Sequence, residues 1–269
     1  MNLVAPLSST RPWLSALAVS LVLAACASGP QDNLSLVPAQ LNAQTQKNGL
    51  FSQPDQWRKK RPGCQGECPT MTVDSLVFPG HSRLTAQIDH ALALMTWIDN
   101  TRSAPYDTVL GLRDYFWKTA GPRDQVQLNA KARYRNAHLT VVELQTGVYR
   151  TGMAHGITGT QFIIWRNDLR KAVTLDDLLV PGARPAFDSA LEKAHAQWLK
   201  TSPDAREDPE NFSRMWPFSV SDNVALTDTG LVVKYQPYEI APYSSGEPEL
   251  RIPYSQLKGI LLPEYLPPA

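Results

Sequence analysis

Hydrophobic and polar positions change period several times along this chain, and each change marks an element. The cleanest pattern is an alternation in which Val126, Leu128, Ala130, Ala132 and Tyr134 interleave with Gln127, Asn129, Lys131, Arg133 and Arg135. A period of two predicts a half-buried strand. Residues 139–149 and 161–166 extend the sheet, residues 230–236 and 250–252 supply its last strands, and a short strand over 71–78 stops at Pro79 and Gly80. Elsewhere the period is helical. Leu84, Ile88, Leu92, Met95 and Ile98 fall on one face, with Ser82 as a cap and Asn100 near the end. A second helix opens at Pro105 and carries Val109, Leu112 and Phe116, ending at Gly121 and Pro122. Thr174 and Asp177 have the spacing of a helix start ahead of Leu178, and Phe187, Leu191, Ala194 and Trp198 line a longer helix. The fold class is α+β: a mainly antiparallel sheet covered by helices, with room for two closely packed subdomains.

The amino terminus changes the picture of where this fold works. Arg11 precedes an apolar run over residues 13–25 that closes on Leu23, Ala24, Ala25 and Cys26. The run is shorter than the ~20 residues of a permanent membrane helix and ends in small residues, as a cleaved signal does. Residues 1–25 are expected to be a lipoprotein signal peptide, with lipid attached to Cys26. The alternative is an ordinary secretory signal, which exports the protein without anchoring it. Ala27 and Ser28 follow Cys26, and resemblance to enteric lipoproteins places the anchor in the outer membrane, facing the periplasm.

Residues 26–70, rich in Gln, Asn, Ser, Pro and Gly, are expected to form a flexible spacer ending in a turn at Cys64 and Cys68. An oxidising compartment favours a disulfide between those two cysteines, and a metal site there would need two more ligands that the neighbourhood does not supply. An amino-terminal subdomain is expected over 71–136 and a carboxy-terminal domain over 137–269. With Arg11 removed, 25 basic residues face 25 acidic ones. No global field then favours nucleic acid, and a partner must be recognised locally.

Catalytic signatures are weak. Ser255 and Lys258 have a Ser-x-x-Lys spacing and Ser221-Asp222-Asn223 completes a familiar pair of strings, but their order is reversed relative to penicillin-interacting enzymes and Lys-Thr-Gly is missing. Glu192 and His195 could share one metal, yet no second pair accompanies them. No catalytic set, metal or cofactor is expected. Two segments stand out instead. The first runs from Tyr149 through Gly152 to His155 and on to Gly156 and Gly159; its glycines either permit a hairpin or let a ligand approach near His155. The second runs from Tyr235 to Glu249 and holds Tyr238, Glu239, Tyr243, Gly246, Glu247 and Glu249 on a loop stiffened by prolines. Tyrosine on a stiff loop is good interface material. The alternative is that Tyr238 and Tyr243 fold back and cap the sheet.

Four strings in order carry a resemblance: Tyr-x-x-Gly-x-Ala-His at 149–155, Thr-Leu-Asp-Asp-Leu at 174–178, Tyr-Glu-Ile-Ala-Pro-Tyr-Ser-Ser-Gly at 238–246 and Ile-Pro-Tyr-Ser-Gln-Leu at 252–257. Together they resemble the carboxy-terminal domain of RsiV-like proteins, over roughly 71–269. The resemblance implies an extracytoplasmic α+β module whose best-known members bind lysozyme. Met153 and Gly156 depart from the family's pattern, and a lipoprotein signal replaces the cytoplasmic segment and membrane helix of RsiV-type regulators. The expected function is an envelope lipoprotein that binds a lysozyme-like muramidase, as inhibitor or sensor, through Tyr149, Gly152, His155, Tyr238, Glu239, Tyr243, Gly246, Glu247 and Glu249. The alternative is a module that binds peptidoglycan.

Overall fold

The computed structural model describes residues 49–99 and 101–267. Cys26, the signal sequence and Asn100 lie outside the described residues.

Six strands form the main sheet in sequence order: β1 (Gln53–Lys60), β2 (Thr70–Val77), β3 (Gln125–Arg135), β4 (Leu139–Tyr149), β5 (Ile157–Arg166) and β6 (Lys171–Val173). All neighbours are antiparallel except β2 and β3. A parallel pair needs a long crossover, and here it contains α1 (Ser82–Leu94) and α2 (Val109–Thr119). After β6 come α3 (Leu175–Leu178), α4 (Arg184–Leu199), α5 (Pro203–Glu207) and α6 (Pro209–Met215). A second, three-stranded antiparallel sheet follows, of β7 (Val224–Leu226), β8 (Gly230–Lys234) and β9 (Glu249–Pro253).

The centre of the main sheet, β4 and β5, is buried on both faces. Val142 and Leu144 of β4, with Ile163 and Trp165 of β5, join Leu84, Ile88 and Leu92 of α1 and Leu112 and Phe116 of α2 in one core. Leu139 and Val141, with Phe162 and Ile164, point the other way and meet Leu231 and Val233 of β8, Ile252 of β9, and Phe187 and Leu191 of α4. This is why the first half of β4 is buried without interruption, Thr140 and Glu143 included, while β3 alternates. The expected subdomain boundary at 136–137 falls in the β3–β4 turn of one continuous sheet, so it is not a boundary. The two subdomains are two cores sharing one sheet.

Other expectations shift for local reasons. The helix carrying Leu84 ends at Leu94, so Ile98 lies outside it and is 52% exposed rather than in the core. The second helix starts at Val109, where Thr108 caps Gly111 N–H, and not at Pro105. Thr174 and Asp177 form the capping box that their spacing indicates. The spacer does not reach residue 70. Residues 53–60 are β1, paired along its whole length with β2. It is an edge strand with only Trp57 half-buried, so alternation has nothing to encode. Pro54 is compatible with an edge, and Arg58, Lys59 and Lys60 discourage further pairing. Its hairpin tip carries the disulfide between Cys64 and Cys68.

Candidate functional site

The two segments singled out in the sequence meet in space. The 150–156 connection between β4 and β5 is held at its root by Asp124, which accepts hydrogen bonds from Thr151 N–H (2.6 Å), the Thr151 hydroxyl (2.8 Å) and Arg150 (3.1 Å). Burial alone would raise the Asp124 carboxyl, but these bonds outweigh it and hold it below the usual carboxylate range. Gly152, at φ 97°, makes the turn and has open space around it. Tyr149 stays in β4, opposite Gln125. His155 is carried forward to the surface.

There its ring stacks on Tyr243 with centroids 4.2 Å apart. His155 Nδ1 donates to the Gly156 carbonyl at 2.8 Å, since a carbonyl oxygen only accepts, and Nε2 lies 3.5 Å from the Tyr238 hydroxyl. The Tyr243 hydroxyl donates to the same carbonyl at 3.0 Å. Tyr238 lies 5.6 Å from Tyr243 and 6.1 Å from Trp216, at the end of α6. The result is an aromatic surface of His155, Trp216, Tyr238 and Tyr243. Of the two tyrosines, Tyr243 folds back and rivets the loop to Gly156, as the capping alternative expects, while Tyr238 is 53% exposed.

The loop is locked from beneath. Ala241 packs against Ala205 of α5 and Phe212 of α6, and Ser245 donates to Asp204 at 2.8 Å. Glu239 accepts from Gln236 N–H at 2.6 Å. Gly246 takes φ 68° and ψ −131°, a region closed to residues with a Cβ. Tyr238 itself has φ 71°, unusual for a bulky residue.

Glu247 and Glu249 differ from the expectation that they face a basic partner. Their side chains are only 14% and 18% exposed, because they belong to an internal ion-pair network. Lys234 of β8 bonds Glu143 of β4 and Glu247 (2.9 Å), Arg133 reaches Glu249 (2.7 Å) and Glu143 (3.3 Å), and Gln145 donates to Glu247 (3.0 Å). Desolvation would lower the Lys234 ammonium, but its two carboxylates outweigh this and raise it. An open cleft of about 450 Å³ lies above, lined by Gln145, Thr158, Lys234, Pro237, Tyr243, Gly246 and Glu247.

Sequence reasoning missed Trp216, Asp124, Lys234 and Glu143. It also missed Gln236, whose side-chain amide pairs with both backbone groups of Thr160, and Asn223, which accepts from Phe162 N–H at 2.7 Å. The Ser221-Asp222-Asn223 string thus serves the sheet: Asn223 satisfies the β5 edge and Asp222 pairs with Arg184. His195 is buried beside Trp198 and Phe218, and burial pushes its imidazole down, whereas Glu192 is exposed. Among the described residues no three His, Cys, Asp or Glu side chains gather where a metal ion could be held.

Residues 176–255 match the family described as "Protein of unknown function (DUF3298)". A crystal structure of a DUF3298 family protein from Pseudomonas aeruginosa PAO1 is similar, with 34% sequence identity and a TM-score of 0.75, covering 83% of this chain and 100% of that one. A DUF3298 family member from Bacteroides fragilis shares the fold at 19% identity and a TM-score of 0.62, covering 80% of this chain and 95% of that one. The immunogenic protein MPT64 of Mycobacterium tuberculosis is 25% identical over 166 residues, 60% of this chain and 62% of that protein. The chain therefore spans less than two thirds of the length of the curated relatives it matches.

Proposed function

The chain belongs to the DUF3298 family, and on that premise we propose that it is an extracytoplasmic lipoprotein binding a protein partner through His155, Trp216, Tyr238 and Tyr243. The proposed partner class is a lysozyme-like muramidase, which the protein inhibits or senses. Kinship with the RsiV-like domain is part of the same proposal, supported by the convergence of two of its four strings on one surface.

Tyr238 carries this reading. A large aromatic side chain is half exposed on a loop whose underside is fixed by Ala241, Ser245 and Glu239, and its backbone sits in the left-handed region. Such strain persists only where the surroundings over-determine it, and it concentrates at binding sites. A tyrosine already held in place loses little conformational entropy when a partner covers it. The outward acids here are Glu239 and, on and between α5 and α6, Asp204, Glu207, Asp208 and Glu210, against Arg206 and Arg214. That excess of negative charge suits a basic enzyme.

Replacing Tyr238 with Ala is expected to weaken binding to a chicken-type lysozyme by about 1–3 kcal/mol, the range of an interface anchor, with an unchanged melting temperature. Titration calorimetry and thermal melts on the same preparations check this. Wild-type protein with no affinity for muramidases of several types would sink the reading. One observation favours a second reading: Tyr243 beside Gln145, Lys234 and Glu247 in the cleft offers a ring face and polar groups to a sugar. Retention of the wild type, but not of Tyr238→Ala, on purified peptidoglycan would put that glycan-binding reading in front.

Anchoring by Cys26, in the outer membrane facing the periplasm, completes the proposal. Cys26→Ser is expected to release the protein from the membrane fraction after a high-salt wash. A variant that still sediments with membranes overturns it.

A further inference from the structure

The outer edge of β5 shows how a protein partner could be held. Thr160 directs both its backbone groups away from β4: its N–H donates to the Gln236 side chain at 2.9 Å, and its carbonyl accepts from the same amide. Two residues on, Phe162 N–H points the same way, to Asn223. In an antiparallel ladder outward and inward residues alternate, so Thr158, opposite Gly147, also presents its N–H and carbonyl to the outer edge. Among the described residues no side chain pairs with them.

A groove of about 560 Å³ runs beside this edge. Five consecutive residues, 157–161, line it, as only a strand edge can, since a strand face would contribute alternate residues. Met95, Trp97 and Ile98, which follow α1, form its apolar wall. Trp97 is fixed there by a 2.8 Å bond from its indole N–H to the Arg102 carbonyl and by edge contacts with Tyr106 and Tyr115. Thr158 also lines the cleft beside Tyr243, so the edge lies between the apolar wall and the aromatic surface.

We propose that the β5 edge at Thr158 receives an extended segment of the protein partner, which pairs with it as a short added strand. The inference rests on the protein-binding reading and specifies its mode. The outward N–H and carbonyl of Thr158 are complementary to one residue of another extended backbone, which can exchange both hydrogen bonds with them, and the clefts on either side take its alternating side chains. Trp97 and Ile98 receive an apolar residue, and Tyr238 and Tyr243 receive the next. Gln236, already occupying Thr160, marks where the pairing stops.

Thr158→Pro tests this in the full-length protein, with a chicken-type lysozyme as the probe. Proline is tolerated on an edge where the N–H faces outward, and Ile157 before it is already extended. The variant is expected to fold, to melt within a few degrees of the wild type and to lose about tenfold or more in affinity. Amide hydrogen exchange on wild-type protein is the second measurement: Thr158 N–H should exchange quickly alone and slowly in the complex. Unchanged affinity in Thr158→Pro alongside weakened affinity in Tyr238→Ala would overturn the added strand and leave the protein-binding reading standing. A Thr158 amide already protected in the free monomer would show the edge covered by the chain itself. Self-association lost in Thr158→Pro would show it covered by a second copy. Either result overturns the proposal, and a wild type that binds no muramidase removes both it and the reading beneath it.

Discussion

Lys234→Met is expected to destabilise the fold by about 3–5 kcal/mol, the cost of stranding buried charge. The Lys234 side chain is 8% exposed and lies between the carboxylates of Glu143 and Glu247, themselves 11% and 14% exposed. Removing the ammonium leaves two carboxylates with Arg133 and Gln145 as their remaining partners. The sign of the pH dependence follows. The folded-state pKa of Lys234 is raised, so its stabilisation is fully present below the unfolded value, near 10.5, and fades only as pH rises through the folded value. The variant should therefore be impaired throughout the neutral range. Adding Glu143→Gln and Glu247→Gln should restore most of the loss, because a neutral set has no stranded charge. Urea denaturation of the single and triple variants measures both. A single variant within about 1 kcal/mol of the wild type would show that the network contributes little.

Gly230→Ala is the second large effect, and its cause is steric. A Cβ at Gly230 would stand 2.2 Å from the Ile252 carbonyl oxygen and 2.9 Å from the Pro253 Cα. Both neighbours are backbone of β9, so no rotamer change relieves the clash. The strand must move as a unit, and with it Leu250 and Ile252, which belong to the core under the main sheet. Overpacking of this kind costs about 1–3 kcal/mol, and more where the backbone has to shift. Thermal melts should register a clear drop, and an unchanged transition would mean that β8 and β9 can separate freely. Gly246, with open space around it, is a contrasting control in which the cost is conformational alone.

How much of this was legible in the sequence depends on what each residue does. Strand β3 alternates because one face meets the helices, and β4 could be delimited to the residue because it is buried on both faces. Helices α1 and α4 declared themselves through Leu84, Ile88 and Leu92, and through Phe187 and Leu191. Strand β1 could not be read, since an exposed edge strand is held by backbone pairing and leaves no hydrophobic period. Nor could α5 and α6, each seven residues or fewer, although Pro203 after Ser202 and Pro209 after Asp208 are proper helix starts.

The candidate site divides in the same way. Tyr238, Tyr243 and His155 were visible by composition, and they do meet. Trp216 was not, because only the packing of Phe212 under Ala241 brings α6 alongside the loop. Glu247 and Glu249 were misread for a related reason. A charge in a sequence looks the same whether it faces water or Lys234, and the lysine that neutralises Glu247 sits 13 positions away on another element. Long-range ion pairing is invisible to any local window.

The sheet shared by two cores has a consequence for how the chain can vary in length. Within β4, Val141 and Val142 are adjacent and serve opposite cores. Inserting or deleting one residue there would exchange the faces of every position beyond it, turning Glu143 toward the helices and Leu144 toward the ion-pair network. No side-chain adjustment repairs that. The hairpin tip over 61–69 faces no such restriction, since its ends are already clasped by Arg61 N–H on the Pro69 carbonyl and closed by the disulfide. Added residues, a label or a grafted peptide belong at that tip, about as far from the conflict between layers as the main sheet allows.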